Sequence, residues 1–227
     1  MCQCQGVTRN QLKGGLQEND IFPFYYPSFS DAFDNRVSFF TKLKEAELTF
    51  VTPWHLASWV HSPLDLNYRV YGMLTDDYLS DFAHLFDEIG YEHVLVVHGM
   101  DGIDEVSNVG KTKIAELHEG EVKTYTLSPS DLGVKKSSID EITSDGADQN
   151  VVDFVNIIYN QDRGAKRDLV AVNAGAAFYA ANVTSSIEAG TKYAFNILES
   201  GDAAHKLEQL VEYAGDPDKL KELKPSL

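Results

Sequence analysis

Residues 68–99 read Y-R-V-Y-G-M-L-T-D-D-Y-L-S-D-F-A-H-L-F-D-E-I-G-Y-E-H-V-L-V-V-H-G, and this stretch decides the fold. Y-R-V-Y-G-M (68–73) reads as a strand. Thr75 is placed to cap a helix predicted over Asp76–Ile89, with Asp76 and Asp77 in a first turn whose dipole favours anions. Gly90 ends that helix. E-H-V-L-V-V-H-G (92–99) is a second strand, β-branched on both faces and therefore expected to be buried on both. Strand, helix and strand within about thirty residues make a βαβ unit, which implies a right-handed crossover onto a parallel sheet.

Working outward, a glycine-rich loop (Gly99 to Gly110) leads to renewed alternation. T-K-I-A-E-L (112–117) and E-V-K-T-Y-T-L (121–127) flank H-E-G-E, the pattern of an antiparallel hairpin at a sheet edge. S-P-S-D-L (128–132) is a turn, and helices are predicted over Ala147–Asn160, Asp168–Ala181, Ser185–Ser200 and Ala203–Tyr213. The second of these is apolar nearly all round and rich in small residues, which predicts close packing against other backbone. Upstream, residues 1–20 read as a poorly ordered lead-in. I-F-P-F-Y-Y-P-S-F (21–29) is punctuated by proline and excluded from a helix interior. Ser30 or Asp31 offers an N-cap for a helix through Glu45, with Phe33, Val37, Phe40 and Leu43 at helical spacing. A segment rich in Trp and His follows, in which Trp54, His55, Trp59 and His61 read as packing. The fold class is α/β, with a mainly parallel sheet, an antiparallel edge hairpin and flanking helices.

Composition narrows the function. Of 227 residues, 43% are hydrophobic and 24% charged, which excludes a disordered tail, a collagen-like fibre and a disulfide mini-protein. The net charge is −16 and there are five arginines. Nucleic-acid binding rests on clustered cations that neutralise phosphates, so a general role on DNA or RNA is disfavoured. The same charge argues against an anionic membrane surface, and no run approaches the ~18 apolar residues of a membrane span. Cys2 and Cys4 are too close to staple a fold, and no further cysteine completes a metal site. No secretory signal is visible, and a cytoplasmic protein is expected.

Ligands of open α/β sheets bind beyond the carboxyl ends of parallel strands. The strand ending at His98 runs into V-H-G-M-D-G-I-D-E-V-S (97–107), where Gly99 and Gly102 allow close backbone approach. Asp101, Asp104 and Glu105 lie within five residues of one another. Adjacent acids repel unless they are solvated or bridged by a cation, and hard oxygen donors on such a loop suit Mg²⁺. A solvated acidic turn accounts for the same spacing. His98, without a paired nucleophile, reads as structural, and Asn173 as a hydrogen-bonded amide.

Four segments carry a resemblance. V-L-V-V-H-G-M-D-G-I-D-E-V-S (94–107), T-L-S-P-S-D-L-G-V (126–134), D-G-A-D-Q-N (145–150) and K-R-D-L-V-A-V-N-A-G-A-A-F-Y-A-A (166–181) resemble, in order and spacing, the C-terminal portion of the anthranilate phosphoribosyltransferase family. The resemblance covers about Tyr68 to Tyr213. It implies a small helical domain joined to a larger α/β domain, here residues 1–67 as a helical-domain remnant and 68–227 as the α/β domain. It also implies transfer of phosphoribosyl from phosphoribosyl pyrophosphate to anthranilate, in tryptophan biosynthesis. By the same resemblance Asp104 and Glu105 match the family's Mg²⁺-binding pair. Arg36, nine residues after Pro27 in Tyr25-Tyr26-Pro27-Ser28, matches the arginine that contacts the anthranilate carboxylate, for which a guanidinium offers two parallel hydrogen bonds.

The family's G-T-G-G-D and K-H-G-N-R segments, which hold the phosphoribosyl donor, do not occur in these 227 residues. Two readings follow: a shortened member of the enzyme family, or a non-catalytic descendant acting as a binding or regulatory module. A sheet without those segments exposes an edge, so a homodimer or a partner supplying the missing half is expected.

Overall fold

The computed structural model describes residues 9–21, 38–39, 41–47, 60, 62 and 64–225. They fall into two units, one formed from residues 1–65 and 205–223, the other from 66–204 and 224–227.

In the first unit, α1 (Arg9–Asn19) replaces the disordered lead-in expected from the sequence. Its residues show no strong apolar period, so the helix depends on tertiary contacts. Lys206 donates to the Asn19 carbonyl at 3.1 Å, where a helix C-terminus favours a cation. The carboxyl end of the chain contributes helical residues 205–214 and a short α-helix, Pro217–Leu223. Asp216 opens the latter by accepting from the amides of Asp218 and Lys219 at 3.1 and 3.2 Å. Residues 38–39 and 41–45 are helical, within the helix predicted through Glu45.

The second unit is built on the quoted stretch. β1 (Tyr68–Gly72), α2 (Leu79–Glu88) and β2 (His93–Gly99) form the expected βαβ unit, with β1 and β2 parallel. The helix begins three residues later than predicted. Thr75 Oγ1 donates to Asp77 Oδ2 at 2.8 Å, closing a turn, and Asp76 pairs with Lys113 at 2.8 Å. Both acids are thus used before the helix starts. Gly90 ends it at φ +92°.

β3 (Thr112–His118) and β4 (Glu121–Leu127) complete a four-stranded sheet in the order β1-β2-β3-β4. A mainly parallel sheet was expected; only β1 and β2 are parallel, and β2–β3 and β3–β4 are both antiparallel. The cause lies in residues 100–111, which contain no crossover helix. The Met100 amide bonds to the Lys111 carbonyl at 2.8 Å, so the chain folds straight back and β3 runs against β2. The hairpin itself matches expectation, turning at Glu119 and Gly120 with φ of +51° and +78°. Positive φ at both central residues suits the right-handed twist of the strands.

Apolar side chains of β2 sort onto the two sheet faces. Leu95 and Val97, with Ile114 of β3, pack under Val172, Ala176 and Ala180 of α5 (Ala165–Ala180) and Ile187 of α6 (Ile187–Ser200), which follow α3 (Ile139–Ile142) and α4 (Gly146–Ile158) in the chain. On the opposite face Tyr71 stacks on Phe82 of α2 at 5.6 Å and meets Phe86 edge-on at 5.2 Å. β2 is therefore buried on both faces, as its sequence implied. The small residues of α5 bring it against α6 at Gly175 and Gly190. A Cβ on Gly175 would stand 2.5 Å from the Thr191 amide nitrogen, and one on Gly190 2.3 Å from the Gly175 carbonyl oxygen. The helix begun at Asp202 is α7 (Asp202–Ala214), and the short helix after it, Pro217–Leu223, is α8. Among the described residues no helix is long and apolar enough to cross a membrane.

Candidate functional site

The carboxyl end of β2 delivers the chain into the loop 99–110, and almost every group in that loop has an assigned partner. Asp101 is its clamp. Oδ1 accepts from the Ile103 amide at 3.2 Å and Oδ2 from the Ser107 hydroxyl at 2.5 Å. Ser107 Oγ in turn accepts from the amides of Val109 and Gly110 at 2.9 and 3.1 Å, and its own amide donates to Thr112 Oγ1 at 2.8 Å. Val106, Ser107 and Asn108 are fully buried. Asn173 of α5 holds both sides of the Val106 peptide, accepting from its amide and donating to its carbonyl, each at 2.9 Å. Asn173 is thus the hydrogen-bonded amide expected of it. His98 is likewise structural: Nδ1 lies 2.7 Å from the Met73 carbonyl oxygen, which only accepts, so the ring donates there and ties β2 to the end of β1.

Glycines let the backbone close on itself. Gly102 sits at φ +97°. Gly99 serves through contact instead: a Cβ there would stand 2.9 Å from Asp101 Oδ1 and 3.0 Å from the Ile103 carbonyl oxygen. Gly72, at the end of β1, is tighter still. A Cβ on it would fall 1.8 Å from the Asp104 carbonyl oxygen, so the Asp104 backbone rests directly on β1.

Between these anchors Asp104 and Glu105 project, both exposed. Among the described residues neither carboxylate accepts a hydrogen bond or meets a cation. The protein packed around Glu105, and then the charge of Asp104, push its carboxyl above the ordinary range. Two adjacent acids, fixed in place and carrying uncompensated charge, fit a hard divalent cation. Of the three loop acids proposed from sequence, the geometry therefore separates Asp101, consumed by the loop, from Asp104 and Glu105. Asp76 with Lys113 forms an ion pair beside the β2–β3 end of the sheet, and Lys113 stands opposite His98 in the register. Arg36 and the Trp54–His61 segment lie outside the described residues.

Gly72 was missed in reading the sequence. A glycine closing an apolar strand is a signal of close backbone approach, and Y-R-V-Y-G carried it.

A family model described as the a/b domain of a glycosyl transferase family matches residues 8–204. The chain belongs to that family. Within it, the chain is a homologue of anthranilate phosphoribosyltransferase. It is 37% identical over 167 residues to the anthranilate phosphoribosyltransferase of Petrotoga mobilis, covering 74% of this chain and 48% of that protein. The Acetivibrio thermocellus enzyme of the same name is 34% identical over 203 residues, covering 89% and 57%. The chain thus spans about half the length of the relatives it matches. Among solved structures, the anthranilate phosphoribosyltransferase of Thermus thermophilus superposes with a TM-score of 0.66 at 29% identity, over 74% of this chain and 50% of that one. A Saccharomyces cerevisiae enzyme with Mg bound superposes with a TM-score of 0.80 at 18% identity, over 94% and 60%, which shows a shared fold. As a glycosyl transferase homologue, the chain keeps the family's α/β framework around the loop described above.

Proposed function

We propose that this chain supplies the α/β part of an anthranilate phosphoribosyltransferase, with Asp104 and Glu105 holding Mg²⁺ against the pyrophosphate of phosphoribosyl pyrophosphate. One observation carries the reading: two neighbouring carboxylates without a cationic partner among the described residues, on a loop anchored on both sides at the carboxyl end of β2. A solved relative from Saccharomyces cerevisiae is a complex with phosphoribosyl pyrophosphate and Mg, and another is a complex with 4-fluoroanthranilate.

The chemistry asks little of a base. A weak aromatic amine attacks the anomeric carbon of an oxocarbenium-like ribose as pyrophosphate departs, so orientation and stabilisation of the leaving group dominate. When bound, the metal ion supplies neutralisation of the charge developing on that leaving group. Asp101, Ser107, Asn173 and Gly72 act before that, as positioning residues. They fix the backbone on which the two ligands stand, so no loop ordering is needed when the ion arrives. Arg36 is proposed for the anthranilate carboxylate by its place in the sequence, and residues 1–67 as the helical-domain remnant. The outer edge of β1 has no partner strand among the described residues. A second copy, or a polypeptide supplying the remaining family segments, is proposed to complete the enzyme.

Calorimetric titration with Mg²⁺ and phosphoribosyl pyrophosphate tests the proposal. Saturable heat is expected from the chain, and none from an Asp104→Asn/Glu105→Gln variant of the same thermal stability. Equal heat from both would refute the assignment. No heat from either would leave the second reading, a binding module on the family scaffold.

A further inference from the structure

At the opposite end of β2, the antiparallel register sets His93 against His118 and Leu95 against Glu116. Residues two apart on a strand share a face, so His93, Glu116 and His118 stand together on the face that α5 covers. His93 is fully buried, Glu116 is 9% exposed, and His118 is exposed. His93 Nε2 lies 2.9 Å from Glu116 Oε1, and one ligand atom from each of the three residues falls within 4.8 Å of the others. A second layer holds the first. Asn182 Oδ1 lies 3.1 Å from His93 Nδ1, and the Tyr179 hydroxyl donates to Glu116 Oε1 at 2.7 Å. A histidine that gives its Nδ1–H to an oxygen presents Nε2 as a ligand, and such outer bonds accompany metal ligation as a rule. A surface cleft of about 330 Å³, lined by Tyr91, Glu92, His118, Glu119, Gly120 and Asn182, gives access at His118.

We propose that His93, Glu116 and His118 form a site for a divalent transition-metal ion of the zinc type, separate from the loop carboxylates. Two imidazoles with one carboxylate suit Zn²⁺ or Co²⁺, whereas Mg²⁺ takes oxygen donors. Three protein ligands leave a fourth position, facing the cleft, for water. Binding places the ion between His93 Nε2 and Glu116 Oε1, and any proton held there leaves to solvent. An imidazole coordinates in its ring plane, and the rings of His93 and His118 stack at 4.2 Å with 23° between them. Loading therefore turns the exposed His118 ring out of the stack, while His93 Nε2 and Glu116 Oε1 part slightly from their 2.9 Å separation to admit the ion. Glu92 and Glu119 on the cleft wall add negative potential that draws a cation in. His93 and Gly99 are six residue steps apart on β2, about 20 Å along the strand, so the two metal sites are independent. An ion here would tie β2, β3 and the end of α5 together.

The test uses the full chain in a Cys2→Ser/Cys4→Ser background, because those thiols compete for the same soft ions. After removal of metals by a chelator, Co²⁺ is followed by visible absorption and Zn²⁺ by calorimetry. One tight equivalent is expected, with the absorption of four-coordinate cobalt and a rise in melting temperature on adding Zn²⁺. Affinity is expected to fall by on the order of tenfold or more in His118→Ala and by roughly tenfold in Asn182→Ala, both exposed positions, and to be unchanged in Asp104→Asn/Glu105→Gln. Absence of saturable binding, retention of full affinity in His118→Ala, or loss in the loop variant would each overturn the proposal.

Discussion

The two ends of β2 treat charged side chains in opposite ways. At the amino end, the buried ring of His93 and the nearly buried Glu116 meet one another and their neighbours Asn182 and Tyr179 at hydrogen-bonding distance. At the carboxyl end, Asp104 and Glu105 stand exposed and without a cation among the described residues, although Asp101, Ser107 and Asn173 tie down the loop beneath them. Charge already met by protein groups holds strands together, and a metal ion enters there only by displacing a proton from between His93 and Glu116. Charge left unsatisfied on a rigid support is available to a ligand. The same contrast recurs inside the loop, where Asp101 is spent on structure and Asp104, three residues on, is not.

Five substitutions sharpen or break this contrast. The largest effect is expected from Gly72→Ala, because its Cβ would collide with the Asp104 carbonyl oxygen, a backbone atom that no rotamer change can move. A loss of about 3 kcal/mol of unfolding free energy, read from urea titration, is expected, with loss of Mg²⁺ binding. A variant that keeps wild-type stability would show that the loop is less tightly seated than described. Asp101→Ala strands the Ser107 hydroxyl and the Ile103 amide and should cost about 2 kcal/mol, whereas Asp104→Asn should cost almost nothing. Equal costs for the two would dissolve the distinction between Asp101 as the loop's clamp and Asp104 as a carboxylate outside its bonding.

A smaller effect concerns Asp153, which Lys166, Ser144 and Gln149 hold at a carboxyl pKa of about 2. Its depressed value means that the stability from this cluster is complete above the ordinary carboxyl range near 4 and drains away as pH falls towards 2. Thermal melts of Asp153→Asn should be less stable at pH 7 and should converge with wild type in acid. Parallel curves would contradict the assignment. The smallest effect has the reverse sign. Crowding raises the Glu105 carboxyl, so its ionised form opposes folding, and that cost appears as pH rises through the folded value. Glu105→Gln should therefore melt slightly higher than wild type at pH 7 without divalent ions, and Mg²⁺ should raise the melting temperature of wild type only. A lower melting point for the variant would mean that Glu105 serves structure.

Much of this was legible in the sequence, for reasons that can be located. The βαβ unit showed because V-L-V-V is apolar on both faces and Gly90 marks the helix end. The hairpin showed because H-E-G-E interrupts two alternating runs. The parallel character of the sheet was overestimated, since the direction of β3 is set by backbone bonds within residues 100–111 that no periodicity reports. Helix α1 escaped notice because its stability comes from residues nearly two hundred positions away, such as Lys206 on the Asn19 carbonyl. In the loop, residue types located the acids, yet only geometry could tell Asp101 from Asp104 and Glu105. The His93–Glu116–His118 cluster was invisible for a similar reason: its members meet through cross-strand register.

Electron paramagnetic resonance of Mn²⁺, standing in for Mg²⁺, tests the central claim most directly, because it reads the free ion. With phosphoribosyl pyrophosphate present, the free-ion signal should fall on adding the full chain beyond what the pyrophosphate alone removes. It should not fall further with Asp104→Asn/Glu105→Gln, while Asp104→Asn alone should give an intermediate loss. Equal depletion by the wild type and the double variant would place the ion elsewhere and contradict the assignment of these two carboxylates.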